Sequence, residues 1–246
     1  MENSRKVPAW GKNGPQFTKT QWLVLFYLLS ISKWNSKDNE KHYFIYADKV
    51  HYTEIARALK FSSYVPVKKA MMALLDNGIV EYSETGSFKP FYKIEIPFPY
   101  TIMNMSIVKA FYNFSSVINI VTSLRAFSIL YQMYKYDERE FSLTLITKLL
   151  DLDRKKTTIE ELWIMLNIWK EMGIIEYEEI NYTNRVGTSC VKYVIKDIQP
   201  LKEVKLEKYF NTDITENIEK NSVDLYNKLK GDFEKDFGIH RVNWEE

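Results

Sequence analysis

The chain has 246 residues, 46% of them hydrophobic, with 8 Gly, 7 Pro and 1 Cys. That composition excludes collagen-like, low-complexity and globally disordered chains, and a single cysteine, Cys190, excludes an internal disulfide, so a reducing compartment is expected. The net charge is +2, but it falls along the chain: residues 1–100 carry 14 basic and 9 acidic side chains, 101–199 carry 12 and 12, and 200–246 carry 8 and 11.

The polar run Met1–Lys6 lacks the apolar segment of a secretion signal. The longest apolar run, Trp22–Leu29, is far short of the roughly 20 residues that cross a bilayer. A cytoplasmic protein without membrane contact is expected. Thr18 or Thr20 caps a helix running to about Trp34, apolar nearly all round and therefore central. His42–Ala47 is aromatic and reads as a short strand. Thr53 caps a short helix with Ile55, Ala56 and Leu59 inward, and Phe61-Ser62-Ser63 forms a turn. The next helix spans about Tyr64–Asn77, with Pro66 in its first turn. Its Val67, Ala70, Met71, Leu74 and Leu75 form one stripe. Ile79–Ser83 and Phe88–Ile96 form a hairpin around Glu84–Ser87.

Pro97-Phe98-Pro99 breaks regular structure, so 98–114 reads as a linker, its apolar part packed on a domain. The same order then returns. Thr122–Tyr136 is a helix and Phe141–Leu143 a short strand. Thr144 caps a second helix, Asp151–Lys156 is a turn, and Thr157 or Thr158 caps a third helix with Ile159, Leu162, Trp163, Leu166 and Trp169 inward. Ile174–Asn181 and Ser189–Ile198 form a hairpin around Asn184–Gly187. The recurrence shows in the letters: Asn77-Gly78-Ile79-Val80-Glu81-Tyr82-Ser83-Glu84 returns as Met172-Gly173-Ile174-Ile175-Glu176-Tyr177-Glu178-Glu179. Each glycine suits the left-handed residue that ends a helix. In the tail, Val223–Phe237 is amphipathic and reads as an intramolecular cap or a partly disordered segment.

Helix, strand, helix, turn, helix and two-stranded wing is the order of a winged helix-turn-helix. The expected architecture is α+β, mostly α: one winged-helix domain over 16–97, a linker over 98–114, a second winged helix over 115–199, and a partly helical tail over 200–246.

No phosphate-binding glycine loop, dinucleotide fingerprint or nucleophile motif is present. His42, His51 and His240 lack paired spacing. A non-enzymatic protein with no catalytic residue, no cofactor and no metal is expected. In a helix-turn-helix the second helix enters the major groove. Opposite its core stripe the first domain carries Tyr64, Val65, Lys68, Lys69 and Met72, with Ser62 and Ser63 at the turn and Lys89 and Lys93 on the wing. Lysine suits phosphate or guanine, and apolar atoms suit a thymine methyl. No carboxylate precedes Asp76. The second domain offers Arg154, Lys155, Lys156, Thr157 and Thr158 at the helix start and Arg185 at the wing tip, against Glu160, Glu161 and an acidic wing strand. It reads either as a weaker DNA reader or as a surface for self-association. Taken singly, each of these cations also reads as a solvated surface charge. Double-stranded DNA is the expected partner.

The run Ser123–Tyr136, then Glu140-Phe141-Ser142-Leu143 and Leu149-Leu150-Asp151-Leu152, resembles the second winged helix of theta-type plasmid replication initiators. Ser63–Ala70 resembles the helix before that family's first wing. The likeness covers about 17–198. It implies binding to origin repeats, homodimers that repress their own gene, and recruitment of host replication proteins. The family's Gly-Arg wing is Gly187-Thr188 here, with Arg185 before it. Two other readings stay open: a winged-helix transcriptional repressor, and a protein-interaction module such as a helicase loader.

Overall fold

In a computed structural model the chain is an α+β protein with small antiparallel sheets, described over residues 4–8, 17–35, 42–84, 89–96, 100–114, 117–187, 189–204 and 215–239. It divides into two compact units, one built on Gly14–Pro99 and the other on Tyr100–Glu246.

After a short strand β1 (Ser4–Pro8), the N-terminal unit is organised by helix α1 (Lys19–Ile31). Thr18 Oγ1 accepts from the Gln21 N–H while Gln21 Oε1 accepts from the Thr18 N–H. This reciprocal box satisfies donors that the first turn leaves open. Trp22–Phe26, Leu28 and Leu29 are all buried, as the all-round apolar pattern requires. The helix stops three residues before the expected Trp34. Both the N–H and the Oγ of Ser32 bond the Leu29 carbonyl, and its backbone turns extended. Lys33–Asn35 then form strand β2, paired antiparallel with β3 (His42–Tyr46).

Helices α2 (Tyr52–Ala58) and α3 (Val65–Asp76) follow, then strands β4 (Val80–Ser83) and β5 (Phe91–Ile94). The sheet order is β2-β3-β5-β4. Tyr43, Ile94 and Val80 lie opposite one another on one face, all buried beneath the helices. Val67, Ala70, Met71 and Leu74 of α3 close the core, with Leu75 half-buried. Thr53 does not cap α2: the helix starts one residue earlier, so Thr53 is already inside the first turn. The hairpin tip, Thr85–Phe88, lies outside the described residues.

The expected linker is regular structure. Strand β6 (Tyr100–Asn104) and helix α4 (Met105–Asn113) belong to the C-terminal unit. Met103, Met105, Ile107, Val108, Ala110 and Phe111 are buried, and the Phe111 ring stacks 6.0 Å from Trp169. The Asn104 N–H donates to the Pro200 carbonyl and the Val204 N–H to Ser106 Oγ. Apolar side chains at helical spacing pack where a core can receive them; the expected break at Pro97-Phe98-Pro99 lies outside the described residues.

Helix α5 (Ile120–Lys135) is capped by Asn119, whose Oδ1 accepts from the Val121 and Thr122 N–H groups. Thr122, expected near the start, is within the first turn. Strand β7 (Glu140–Phe141) is followed by α6 (Leu143–Leu150), α7 (Lys156–Glu171), β8 (Ile175–Thr183) and β9 (Ser189–Ile198), with strand order β7-β9-β8. Ser142, not Thr144, caps α6: its extended backbone brings Oγ to the Leu145 N–H. Neither Thr157 nor Thr158 caps α7, because the helix already includes Lys156. The tail forms helix α8 (Thr215–Ile239), with Ser222, Leu229 and Phe233 buried.

The recurrence in the letters extends to the hydrogen bonds. Gly78 (φ +66°) donates to the Leu75 carbonyl and Ile79 to Leu74; Gly173 (φ +62°) donates to Lys170 and Ile174 to Trp169. The same pair of bonds ends α2 through Lys60 and Phe61, and α6 through Asp151 and Leu152. This Schellman closure needs a left-handed residue. Strand β3, between α1 and α2, pairs with β5, which pairs with β4; strand β7, between α5 and α6, pairs with β9, which pairs with β8.

Two stability changes are expected from these termini. Nothing lies within 4 Å of a Cβ built on Gly78. Gly78→Ala is therefore limited by backbone strain alone, about 1–2 kcal/mol of lost stability in a denaturation curve. Asn119→Ala removes two capping bonds and is expected to cost about 1 kcal/mol in the same measurement.

Candidate nucleic-acid interface

The clearest candidate surface is α3. The left-handed Lys60 closes α2, and the Phe61 N–H bonds the Ala56 carbonyl. The chain then turns through Ser62, Ser63 and Tyr64, all exposed, into a helix with Pro in its first turn. Proline suits this position because its missing N–H has no intrahelical partner to lose. No side chain caps this helix start and no acidic residue sits in its first turn. Its N-terminal N–H groups and positive dipole end thus face outward, where an anion is favoured.

The stripe that packs on the core forces the opposite face into solvent. That face holds Tyr64 (47% exposed), Val65 (46%) and Met72 (53%), with Lys68 and Lys69 also exposed. Among the described residues no carboxylate pairs with either lysine.

The two lysines of the β4–β5 hairpin differ. Lys89 is exposed, and its Nζ lies 3.4 Å from Asp48 Oδ2. Such an exposed pair is worth little and yields readily to a phosphate. Lys93 is only 16% exposed at its side chain and bonds Glu95 Oε1 at 2.8 Å. It lies in the β5 ladder opposite Phe44 and Glu81. The expectation that Lys93 reaches outward from the wing is not met: its place in a central strand ties it to the sheet surface.

In the C-terminal unit Arg154, Lys155, Lys156 and Thr157 are exposed at the start of α7, and Thr158 is half-buried. Lys155 Nζ lies 2.8 Å from Asp153 Oδ2, and this hydrogen bond and charge lower the Asp153 pKa. Arg185 is exposed in the β8–β9 turn, where Asn184 Oδ1 accepts from the Val186 N–H. Glu178 of β8 pairs with Lys196 at 2.6 Å.

The rest of α7 differs sharply from α3. Counting from the matched glycines, Val65, Lys68, Lys69 and Met72 correspond to Glu160, Trp163, Ile164 and Asn167. In α3 these positions are exposed. In α7 Trp163 is 6% and Ile164 0% exposed. Helix α8 packs on α7: the Phe233 ring lies 5.6 Å from Trp163, and Lys230 Nζ lies 3.9 Å from Glu160 Oε1. Burial there raises the Tyr226 pKa, with Lys230 opposing and Glu160 and Glu161 adding. Glu161 Oε1 accepts from the Asn119 N–H. The two glutamates, expected beside a groove, are engaged in packing instead. Arg154, Lys155 and Lys156 are exposed at the start of α7, where the sequence places them, while Trp163 and Ile164 in its body are buried. The inward place of Trp163 was readable from its helical spacing; that of Ile164, outside that stripe, was not.

Among the described residues no helix is long and apolar enough to cross a membrane. Comparisons with family models, curated proteins and solved structures return no match to this chain.

Proposed function

We propose that the chain is a sequence-specific duplex-DNA-binding protein with two winged helix-turn-helix units, and that it initiates replication of a plasmid or similar mobile element at origin repeats. The outward face of α3 carries this reading. Two exposed lysines, the exposed hydroxyls of Ser62 and Ser63 and an open helix start lie together, with no carboxylate before Asp76. Lysines there release condensed counterions from phosphates, and a helix of this kind enters the major groove. The matched element order and strand order of the two units support the winged-helix assignment. The likeness of Ser123–Tyr136 and Leu149–Leu152 to plasmid initiators supports the replication role over that of a repressor. The N-terminal unit is the principal reader. Arg154, Lys156 and Arg185 supply phosphate contacts from the second.

Binding of the full chain to random duplex should fall steeply with log salt, by several powers. Mapping of bound DNA should return direct repeats of about 20 base pairs, two helical turns, beside the gene. A single inverted repeat in a promoter would assign a repressor instead. One observation favours a protein-interaction role for the second unit: the α7 face is apolar and accepts a helix, α8.

A further inference from the structure

We propose that α3 recognises its duplex through thymine methyl groups, with guanine as the base its lysines hydrogen-bond. This rests on the DNA-binding reading and adds the chemistry of the target to it. Base readout in the major groove uses few pairings: Arg or Lys to guanine, Asn or Gln to adenine, Asp or Glu to cytosine, and apolar atoms to the thymine methyl. Val65–Asp76 contains no Arg, Asn, Gln or Glu. Asn77, just beyond, donates to the Ala73 carbonyl at 2.7 Å and caps the helix. Asp76 lies at the far end. The helix therefore has no adenine reader, and no cytosine reader in the turns that would enter first. The hydroxyls of Ser62, Ser63 and Tyr64 do not discriminate, since a hydroxyl bonds either kind of edge.

What remains is Val65 and Met72 with the Tyr64 ring, all about half exposed, around Lys68 and Lys69. Apolar side chains held this far from the core fit a ligand that offers both apolar groups and negative charge. A thymine-bearing major groove offers methyl groups within an anionic frame. Val65 to Met72 spans about 10 Å along the helix, the length of about three base steps. The contacted core is therefore short and rich in T and G on the strand that α3 faces.

The test starts with selection of random duplexes by the full chain. Each thymine of the selected site is then replaced by deoxyuridine, which removes only the methyl. One to three positions should each lose about fourfold in affinity, the worth of one buried methyl-sized group of about 0.8 kcal/mol. That loss should vanish in Val65→Ala or Met72→Ala, the mark of direct coupling. Both side chains are exposed, so the variants keep their fold; circular dichroism checks this. A selected site that is indifferent to deoxyuridine at every position overturns the proposal and leaves DNA binding standing. A methyl dependence that persists in both variants also overturns it, because other residues then read the methyls. No selected duplex at all overturns the DNA-binding reading with it.

Discussion

Alanine at both Lys68 and Lys69 is expected to weaken duplex binding about 60-fold at 0.1 M salt and to flatten the log–log salt slope by about 1.8. Each neutralised phosphate contributes about 0.9 to that slope. Two contacts over one decade of salt below 1 M give the stated loss. Both lysines stand on the face of α3 that points away from Val67, Ala70, Met71 and Leu74, so the substitutions leave the core untouched. Urea denaturation of the variant should match the parent protein. Unchanged affinity in a titration at 0.1 M would remove α3 from the interface. The paired variant Lys93→Ala is expected to change binding little, because that side chain is held by Glu95 in the sheet.

Phe233→Ala should cost about 3 kcal/mol, the low end for a fully buried phenylalanine. Phe233 is 0% exposed and packs on Trp163, while only Leu229 and Ser222 accompany it as buried residues among 220–235 of α8. Losing that ring takes away the main apolar contact that holds the tail on α7. A denaturant midpoint shift measures the loss. Duplex affinity should stay the same, since α8 meets α7 at Trp163 and Glu160, neither of them a cation. A gain in affinity would show that the tail masks a DNA-reading helix, and would return the second unit to the role that the repeat first suggested.

Much of the fold follows from short-range patterns. The glycines at 78 and 173 mark helix ends because the left-handed region is free of strain only for that residue. The apolar stripe of α3 and the all-round apolar pattern of α1 correctly indicated which faces are buried, since helical spacing alone decides which side chains share a face. Caps were less legible. Ser142 won over Thr144, and Thr53, Thr157 and Thr158 fell inside their helices, because a cap must sit one residue outside the helix and small shifts in where it starts move that position.

The candidate site divides in the same way. That α3 presents Lys68, Lys69, Val65 and Met72 was readable from spacing, because the opposite stripe had to face the core. What meets Trp163 and Glu160 of α7 was decided by α8, which comes from more than 60 residues further along the chain. The apolar side chains of 101–114, expected to pack on a domain, lie in the core beside Trp169, and that they do so as a strand and a helix was set by the folded unit. Local sequence sets which dihedral angles and faces are favourable. Burial is a property of whatever surface arrives opposite, and only the folded chain brings that surface into place.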